Sequence, residues 1–387
     1  MVVSYAGKLV LAPMVRAGEL PTRLLALQHG ADLVWSPEII DKKLIQCERF
    51  INDKLKTVDF IISSPKSNGK PKSPTLVFRT HPQLEKGKII FQIGTSTPSL
   101  ATEAALKVIE DVDGIDVNAG CPKHFSIHSG MGAALLKTPD KLCAILKELV
   151  EKVGKPYNKS ISVKIRILEE EATTLELVEN LCLTGIHNLT VHCRTAPMRN
   201  REAPIRDYIP KIHQICKKHK VSLIMNGAVR SKTHYNELLQ ELQLPLEIGG
   251  MMADCAESNP TVFSKNPLPW YDVVREYLKI AQSFDNHTSN TKYMLSRLVP
   301  GKSKLFQFFA RCKTPREIEY VVSQLGEKGE LLSDPSNFLQ SCRNEEKLAK
   351  QKEHDKKTKL KQAEKRQLIN VDDGDAKQLK KMKSEKV

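Results

Sequence analysis

Eight short apolar or β-branched runs follow one another up to residue 252: Lys8–Ala12, Asp32–Trp35, Ile89–Ile93, Gly114–Asn118, Ile161–Ile165, His187–His192, Val221–Asn226 and Leu246–Met252. Runs this short and this apolar suit strands that are covered on both faces. The stretches between most of them carry helical period instead. Leu142, Ile145, Leu146 and Leu149 take the i, i+3, i+4 and i+7 positions of one face, with Thr138 and Pro139 placed as cap and first helical residue. Eight strand and helix units in alternation predict an α/β fold, the (β/α)8 TIM barrel.

The connection after Trp35 breaks the rhythm. Thr57–Ile62 and Thr75–Thr80 read as a β-hairpin around a loop rich in Ser, Pro, Lys and Gly, so residues 63–74 are expected to form an exposed insertion. Past Pro267 the strand pattern stops, and Trp270, Val273, Val274, Tyr277, Leu278 and Ala281 trace one apolar helical face. Thr314-Pro315-Arg316-Glu317 supplies the cap, first-turn proline and capping-box acid of a further helix. From about Glu346 the chain becomes a Lys, Glu and Gln run with few apolar residues, the composition of a solvated helix or a disordered arm. The expected organisation is a barrel domain over residues 1–265, a smaller all-α helical domain over 266–345 and a basic C-terminal tail over 346–387.

Charge narrows the choice of partner. Sixty Lys+Arg against 45 Asp+Glu leave a net +15, which favours a polyanion such as nucleic acid or an acidic membrane surface. Residues 346–387 hold 14 basic and 8 acidic side chains, a net of +6, so the other +9 sits on residues 1–345. Nine cysteines without a C-x-x-C pair fit neither a disulfide framework nor a structural zinc site, and point to a reducing compartment. No stretch approaches the roughly 18 uncharged apolar residues of a membrane span, so a soluble chain is expected.

In barrels of this kind chemistry is built where the strands end at their C-terminal edges. Residues at or just past those ends include Pro13, Met14, Gln92, Asn118, Cys121, Lys164, Arg166, His192 and Asn226. The segment from Gly114 to Pro122 stands out, because an apolar strand runs straight into a polar loop that presents one cysteine. Pro122 stiffens the turn, Gly120 permits close approach to a flat ligand, and Asn118 offers an amide. From the residues alone, Cys121 is either a reactive thiol or a filler of the barrel rim, Lys164 either a ligand cation or a structural ion-pair partner, and His192 either a ligand or a satisfied core histidine.

Taken together, Leu11-Ala12-Pro13-Met14-Val15, Phe91-Gln92-Ile93-Gly94, Asp116-Val117-Asn118-Ala119-Gly120-Cys121-Pro122-Lys123, Gly130-Met131-Gly132-Ala133-Ala134-Leu135-Leu136 and Val163-Lys164-Ile165-Arg166 resemble the tRNA dihydrouridine synthases, over residues 7–340. The wording around Val15–Leu25 and Lys42–Phe60 is similar to the eukaryotic cytosolic type that modifies uridine 20 in the D-loop. The resemblance implies an FMN-binding barrel and a helical tRNA-binding domain that reduce the uracil C5–C6 double bond with electrons from NADPH or NADH. It places Pro13 and Met14 under the flavin ring, Gln92 and Lys164 at its edge and His192 at its side, and counts Ala12 among the cofactor-binding residues. Asn226-Gly227-Ala228 and Ala253-Asp254 fall where the FMN phosphate is held. Two positions depart from the family pattern: Asp254 stands where an arginine is usual, and His192-Cys193-Arg194 replaces His-Gly-Arg.

The implied mechanism passes a hydride from flavin N5 to uracil C6, while Cys121 delivers a proton to C5 from the opposite side. An ordinary thiol, with a pKa of about 8.5, is mostly protonated at neutral pH and can serve as that acid. Asn118 and Arg166 are expected to hold the polar edge of the flipped base. Arg297, Lys302, Lys304, Arg311, Lys313 and Arg316 are expected to meet tRNA phosphates. Two competing functions are an FMN-dependent reductase of a small pyrimidine or enone, which has no use for the +9 on the folded part, and a non-catalytic tRNA-binding barrel. No metal is implied. The expected location is cytoplasmic, with a nuclear pool through the Lys356–Lys361 run or a mitochondrial one as alternatives, and a monomer is assumed.

Overall fold

In the computed structural model, which describes residues 2–63, 74–301 and 303–384, eight parallel strands close on themselves. They are β1 (Leu9–Leu11), β2 (Leu33–Trp35), β3 (Ile89–Gly94), β4 (Gly114–Ala119), β5 (Ser160–Arg166), β6 (Asn188–His192), β7 (Ser222–Asn226) and β8 (Gly249–Met252). β1 pairs with β8 through Leu9 and Gly250 and with β2 through Val10 and Leu33, and β2 pairs onward with β3. No strand of the ring is left as an edge, and the TIM barrel expected from the eight runs is present.

The two-residue period of a strand decides what faces inward. On β4 and β5, Ile115, Val117, Ile161, Val163 and Ile165 are fully buried in the core cluster shared with the surrounding helices. Complete burial of such a side chain is worth about 1.5–3 kcal/mol. Their alternates, Asp116 and Asn118 on β4 and Ser160, Ser162, Lys164 and Arg166 on β5, therefore line the inside of the barrel. The floor is apolar, made by Val10, Leu33, Trp35, Ile90, Ile224 and Met251. Tyr5 closes it and hydrogen-bonds through its hydroxyl to Ser160 Oγ at 2.6 Å. Polarity thus rises along β5 toward the C-terminal rim.

The helix Pro139–Leu149 buries Leu142, Ile145, Leu146 and Leu149 as its periodicity requires. Thr138 occupies the cap position, but its side chain makes no capping hydrogen bond, so proline and the apolar face set this start. The hairpin strands Thr57–Ile62 and Thr75–Thr80 are present, joined by a third strand, Glu48–Asn52, which sequence periodicity did not disclose because Phe50 and Ile51 are both exposed. The expected insertion at 63–74 falls, but for its two end residues, outside the described residues. This small sheet is tied to the barrel by Arg23, whose buried guanidinium donates to Glu85 at 2.6 Å and to the carbonyls of Gly18 and Arg79.

Helices Trp270–Ser283, Thr288–Leu298, Lys304–Arg311 and Pro315–Ser323 share a core of their own around Val274, Tyr277, Met294, Leu295, Phe309 and Val321. Ala17 and Leu25 of the barrel domain join that core. Thr314 and Glu317 form a reciprocal capping box. A helix runs over Ser336–Ser384, with every residue from 347 to 360 exposed. Among the described residues, no helix is long and apolar enough to cross a membrane.

Candidate active site

The polar inner column opens at the C-terminal rim on a cavity of about 310 Å³. Pro13, Met14, Gln92, Asn118, Cys121, Lys164, Arg166, His192, Ala253 and Asp254 line it. A second cavity of about 210 Å³ shares His192, Ala253 and Asp254 with the first and is walled by Asn226, Gly227 and Ala228. Ala12 is buried in the floor cluster, against which Met14 packs. Register explains the gathering: Asn118 is paired with Lys164, Arg166 with His192, and His192 with Asn226, on successive strands.

The loop that carries Cys121 is built by its neighbours. Asn118 Oδ1 accepts the backbone N–H groups of Gly120 at 3.0 Å and Cys121 at 3.1 Å. The Cys121 carbonyl accepts the N–H of Ala133 at 2.9 Å. Gly132 sits at φ +58°, and a Cβ there would lie 2.6 Å from the Cys121 carbonyl oxygen and 3.1 Å from its Cβ. Gly132 of Gly130-Met131-Gly132 therefore lets that segment close against the cysteine turn. Arg166 closes the other side, donating Nε to the Gly120 carbonyl at 3.0 Å and Nη1 to the Thr195 carbonyl at 2.8 Å.

Below the loop the charges are unequal. Asp116 accepts from Gln92 Nε2 at 2.7 Å and from Ser162 Oγ at 2.6 Å, and burial pushes its carboxyl up to about 6. The Lys164 ammonium makes no hydrogen bond or ion pair among the described residues, so the structural ion pair open to it on sequence grounds is not made. Burial first, and then the Arg166 charge, lower its ammonium to about 8. A cation held in the barrel without a partner is suited to a bound anion. His192 Nε2 lies 3.1 Å from Arg194 Nη1, and since an arginine only donates, the imidazole carries its proton on Nδ1. Burial and the charges of Lys164, Arg166 and Arg194 press its pKa down to about 2, which keeps it neutral.

In the second cavity, Gly227 at φ +115° and Ala228 at φ +53° are consecutive positive-φ residues, so the backbone turns sharply where it walls the cavity. Asn226 is fixed by donating Nδ2 to the Met251 carbonyl at 2.9 Å. Arg230 lines the same cavity and supplies a cation that the family pattern puts at position 254. Asp254 itself accepts from Asn200 Nδ2 at 3.0 Å, while Arg194 donates to the carbonyls of Asn200 and Glu202. The carboxylate thus holds the loop over the cavity rather than facing it alone. An unpaired inner cation, a cavity lined by Pro13 and Met14, and a positive-φ turn at Gly227 and Ala228 beside Arg230 together fit a planar, phosphate-bearing cofactor such as FMN.

Sequence reasoning missed Glu38, Glu257 and Tyr293, all of which line the first cavity. Tyr293 donates to Glu257 Oε1 at 2.6 Å, and Arg297 donates to Oε2 at 2.8 Å. Of the cations expected to meet phosphate, Arg297, Arg316 and Lys313 are paired with Glu257, Glu345 and Glu346. Lys304 and Arg311 are exposed, and Lys302 lies outside the described residues.

The model of the dihydrouridine synthase family matches residues 32–353. A tRNA-dihydrouridine(20) synthase of Saccharomyces cerevisiae, whose name includes NAD(P)+, is 60% identical over 368 residues, 94% of this chain and 95% of that one. The protein of the same name from Schizosaccharomyces pombe is 48% identical over 303 residues, 77% of this chain and 61% of its own length. A human protein named as tRNA-dihydrouridine(20a/20b) synthase-like is 27% identical over 337 residues, 83% of this chain and 93% of that one.

Proposed function

The chain belongs to the dihydrouridine synthase family, and on that premise we propose that it is a tRNA-dihydrouridine(20) synthase, an FMN-dependent oxidoreductase that uses NADPH or NADH to reduce the C5–C6 double bond of uridine 20 in the D-loop of tRNA. The observation that carries the reading is that Cys121 and the unpaired Lys164 line one cavity, which shares His192, Ala253 and Asp254 with a second cavity walled by Gly227, Ala228 and Arg230.

FMN, reduced by the nicotinamide, supplies the hydride equivalent when bound. Lys164 would offset negative charge on its ring, and Gln92, with its amide nitrogen fixed by Asp116, would have Oε1 free to accept from it. Neutral His192 would offer Nδ1–H to it, while Gly227, Ala228 and Arg230, which wall the second cavity, would hold its phosphate. Cys121 donates its thiol proton to uracil C5, a step of general acid catalysis worth about 10²–10⁴-fold. The thiolate left behind shares its cavity with the cationic side chains of Lys164 and Arg166. Arg166 and Asn118 first shape the cysteine loop, and from that position they border the place where the base enters.

The flipped uridine comes from a polyanion, which accounts for the +9 on residues 1–345. All nine cysteines are free, as suits a reducing compartment such as the cytoplasm. The test is nucleoside analysis of unmodified tRNA incubated with the purified protein, FMN and NADPH. A gain of two hydrogens at uridine 20 is expected. Unmodified tRNA despite bound flavin would overturn the reading in favour of a small pyrimidine or enone reductase.

A further inference from the structure

Most hydrogen-bond acceptors of the first cavity are already engaged. Asn118 Oδ1 takes two backbone amides, Glu257 takes Tyr293 and Arg297, Asp254 takes Asn200, and His192 Nε2 takes Arg194. Gln92 sits deep on β3 beside Asp116. Glu38, just past the end of β2, is different. It lines the cavity together with Asn118, Cys121 and Lys123, and it forms no ion pair among the described residues. Its Oε1 is buried with no hydrogen-bond partner. A Cβ on Gly94 would fall 2.6 Å from that oxygen, so glycine at 94 makes room for the carboxylate. Burial raises its pKa, opposed by a side-chain hydrogen bond from the Asn118 amide and by the Lys123 ammonium, so the carboxylate already meets the cysteine loop on one side and Oε1 is the oxygen left over.

An unsatisfied buried acceptor costs on the order of 1–3 kcal/mol, more when charged, and such a cost is kept where a ligand completes the bonding. The Watson–Crick edge of uracil carries two carbonyl acceptors and one donor, N3–H. The cations Arg166, Lys164 and Lys123 suit the carbonyls, and the donor needs an acceptor that the protein has not already used. Cytosine presents a bare nitrogen at N3, which a carboxylate repels.

We propose that Glu38 is the acceptor for the N3–H of the target uracil and thereby a specificity-determining residue that separates uridine from bases lacking that donor, an inference that rests on the tRNA-uridine reading above. The holoenzyme is assayed for kcat/KM on two transcripts that differ only at the target position, one with uridine and one with N3-methyluridine. Wild type is expected to favour uridine by about 100-fold or more. Glu38→Ala and Glu38→Met should each lower kcat/KM on uridine by about 10- to 100-fold, the worth of a hydrogen bond to a charged group, while bound flavin and its reduction by NADPH stay unchanged. The preference between transcripts should shrink toward one. Glu38→Gln retains a carbonyl acceptor and should keep most of it. Methionine preserves side-chain volume, so a folding failure of the alanine variant leaves the test standing. Equal loss on both transcripts, or a wild-type preference in the variants that lack an acceptor, would overturn the inference alone. A wild-type enzyme that leaves the uridine transcript unreduced would overturn the functional reading beneath it.

Discussion

The side-chain oxygen of Asn118 holds the backbone amide of Cys121 at 3.1 Å, and the same oxygen takes the amide of Gly120. The amide that the family resemblance assigns to the uracil edge is therefore also the clamp of the cysteine turn. Asn118→Ala leaves two N–H groups without their acceptor and should cost about 1–3 kcal/mol, with a kcat at least about 10-fold lower. Asn118→Asp, which keeps the oxygen, should restore the stability. Urea denaturation and single-turnover kinetics of the three proteins check this, and an alanine variant of unchanged kcat would contradict it.

Gly132 makes a sharper case, because its φ of +58° and the 2.6 Å approach to the Cys121 carbonyl act together. Gly132→Ala is expected to destabilise by about 1–3 kcal/mol and to lower turnover while flavin content stays at the wild-type level. Thermal denaturation beside the flavin absorbance of the purified variant measures both. Loss of flavin in step with activity would contradict a local effect on the cysteine turn.

Lys164 should give the cofactor-free protein a distinctive pH response. Its folded pKa is about 8 against an ordinary 10.5, so within that window the unfolded chain binds more protons than the folded one. Stability contributed by this residue therefore rises with pH from about 8 to 10.5, and below about 8 its burial penalty is constant. Lys164→Met lacks that slope. Urea titrations across the window should move the difference in unfolding free energy in favour of wild type as pH rises, and parallel profiles would contradict the assignment.

Tyr293 brings the helical domain to the mouth of the cavity. Its hydroxyl holds Glu257 at 2.6 Å, and the Arg16 guanidinium lies over its ring at 4.2 Å from the centroid. Tyr293→Phe removes one hydrogen bond, worth about 0.5–1.5 kcal/mol, and should raise the KM for tRNA by about 2- to 10-fold. Flavin content and NADPH oxidation without tRNA should not change. A KM equal to wild type would separate this contact from tRNA docking.

The barrel was legible because each of its eight strands is covered on both faces, which leaves an apolar run in the sequence. Lys164 and Arg166 were legible for the opposite reason, as charged residues at the end of such a run. Strand Glu48–Asn52 left no mark because its side chains are largely exposed and need no alternation. Glu38, Glu257 and Tyr293 reach the site through tertiary docking of a loop, a short helix and the helical domain, and no local spacing encodes that. The role of Asp254 is not legible locally, because its partner Asn200 lies 54 residues away in sequence.

The most direct test of Cys121 as the acid is anaerobic single-turnover oxidation of the pre-reduced holoenzyme by unmodified tRNA, for wild type beside Cys121→Ala. The account predicts flavin reoxidation slower by about 10²–10⁴-fold in the variant, with flavin still bound. Equal rates in the two proteins would contradict it.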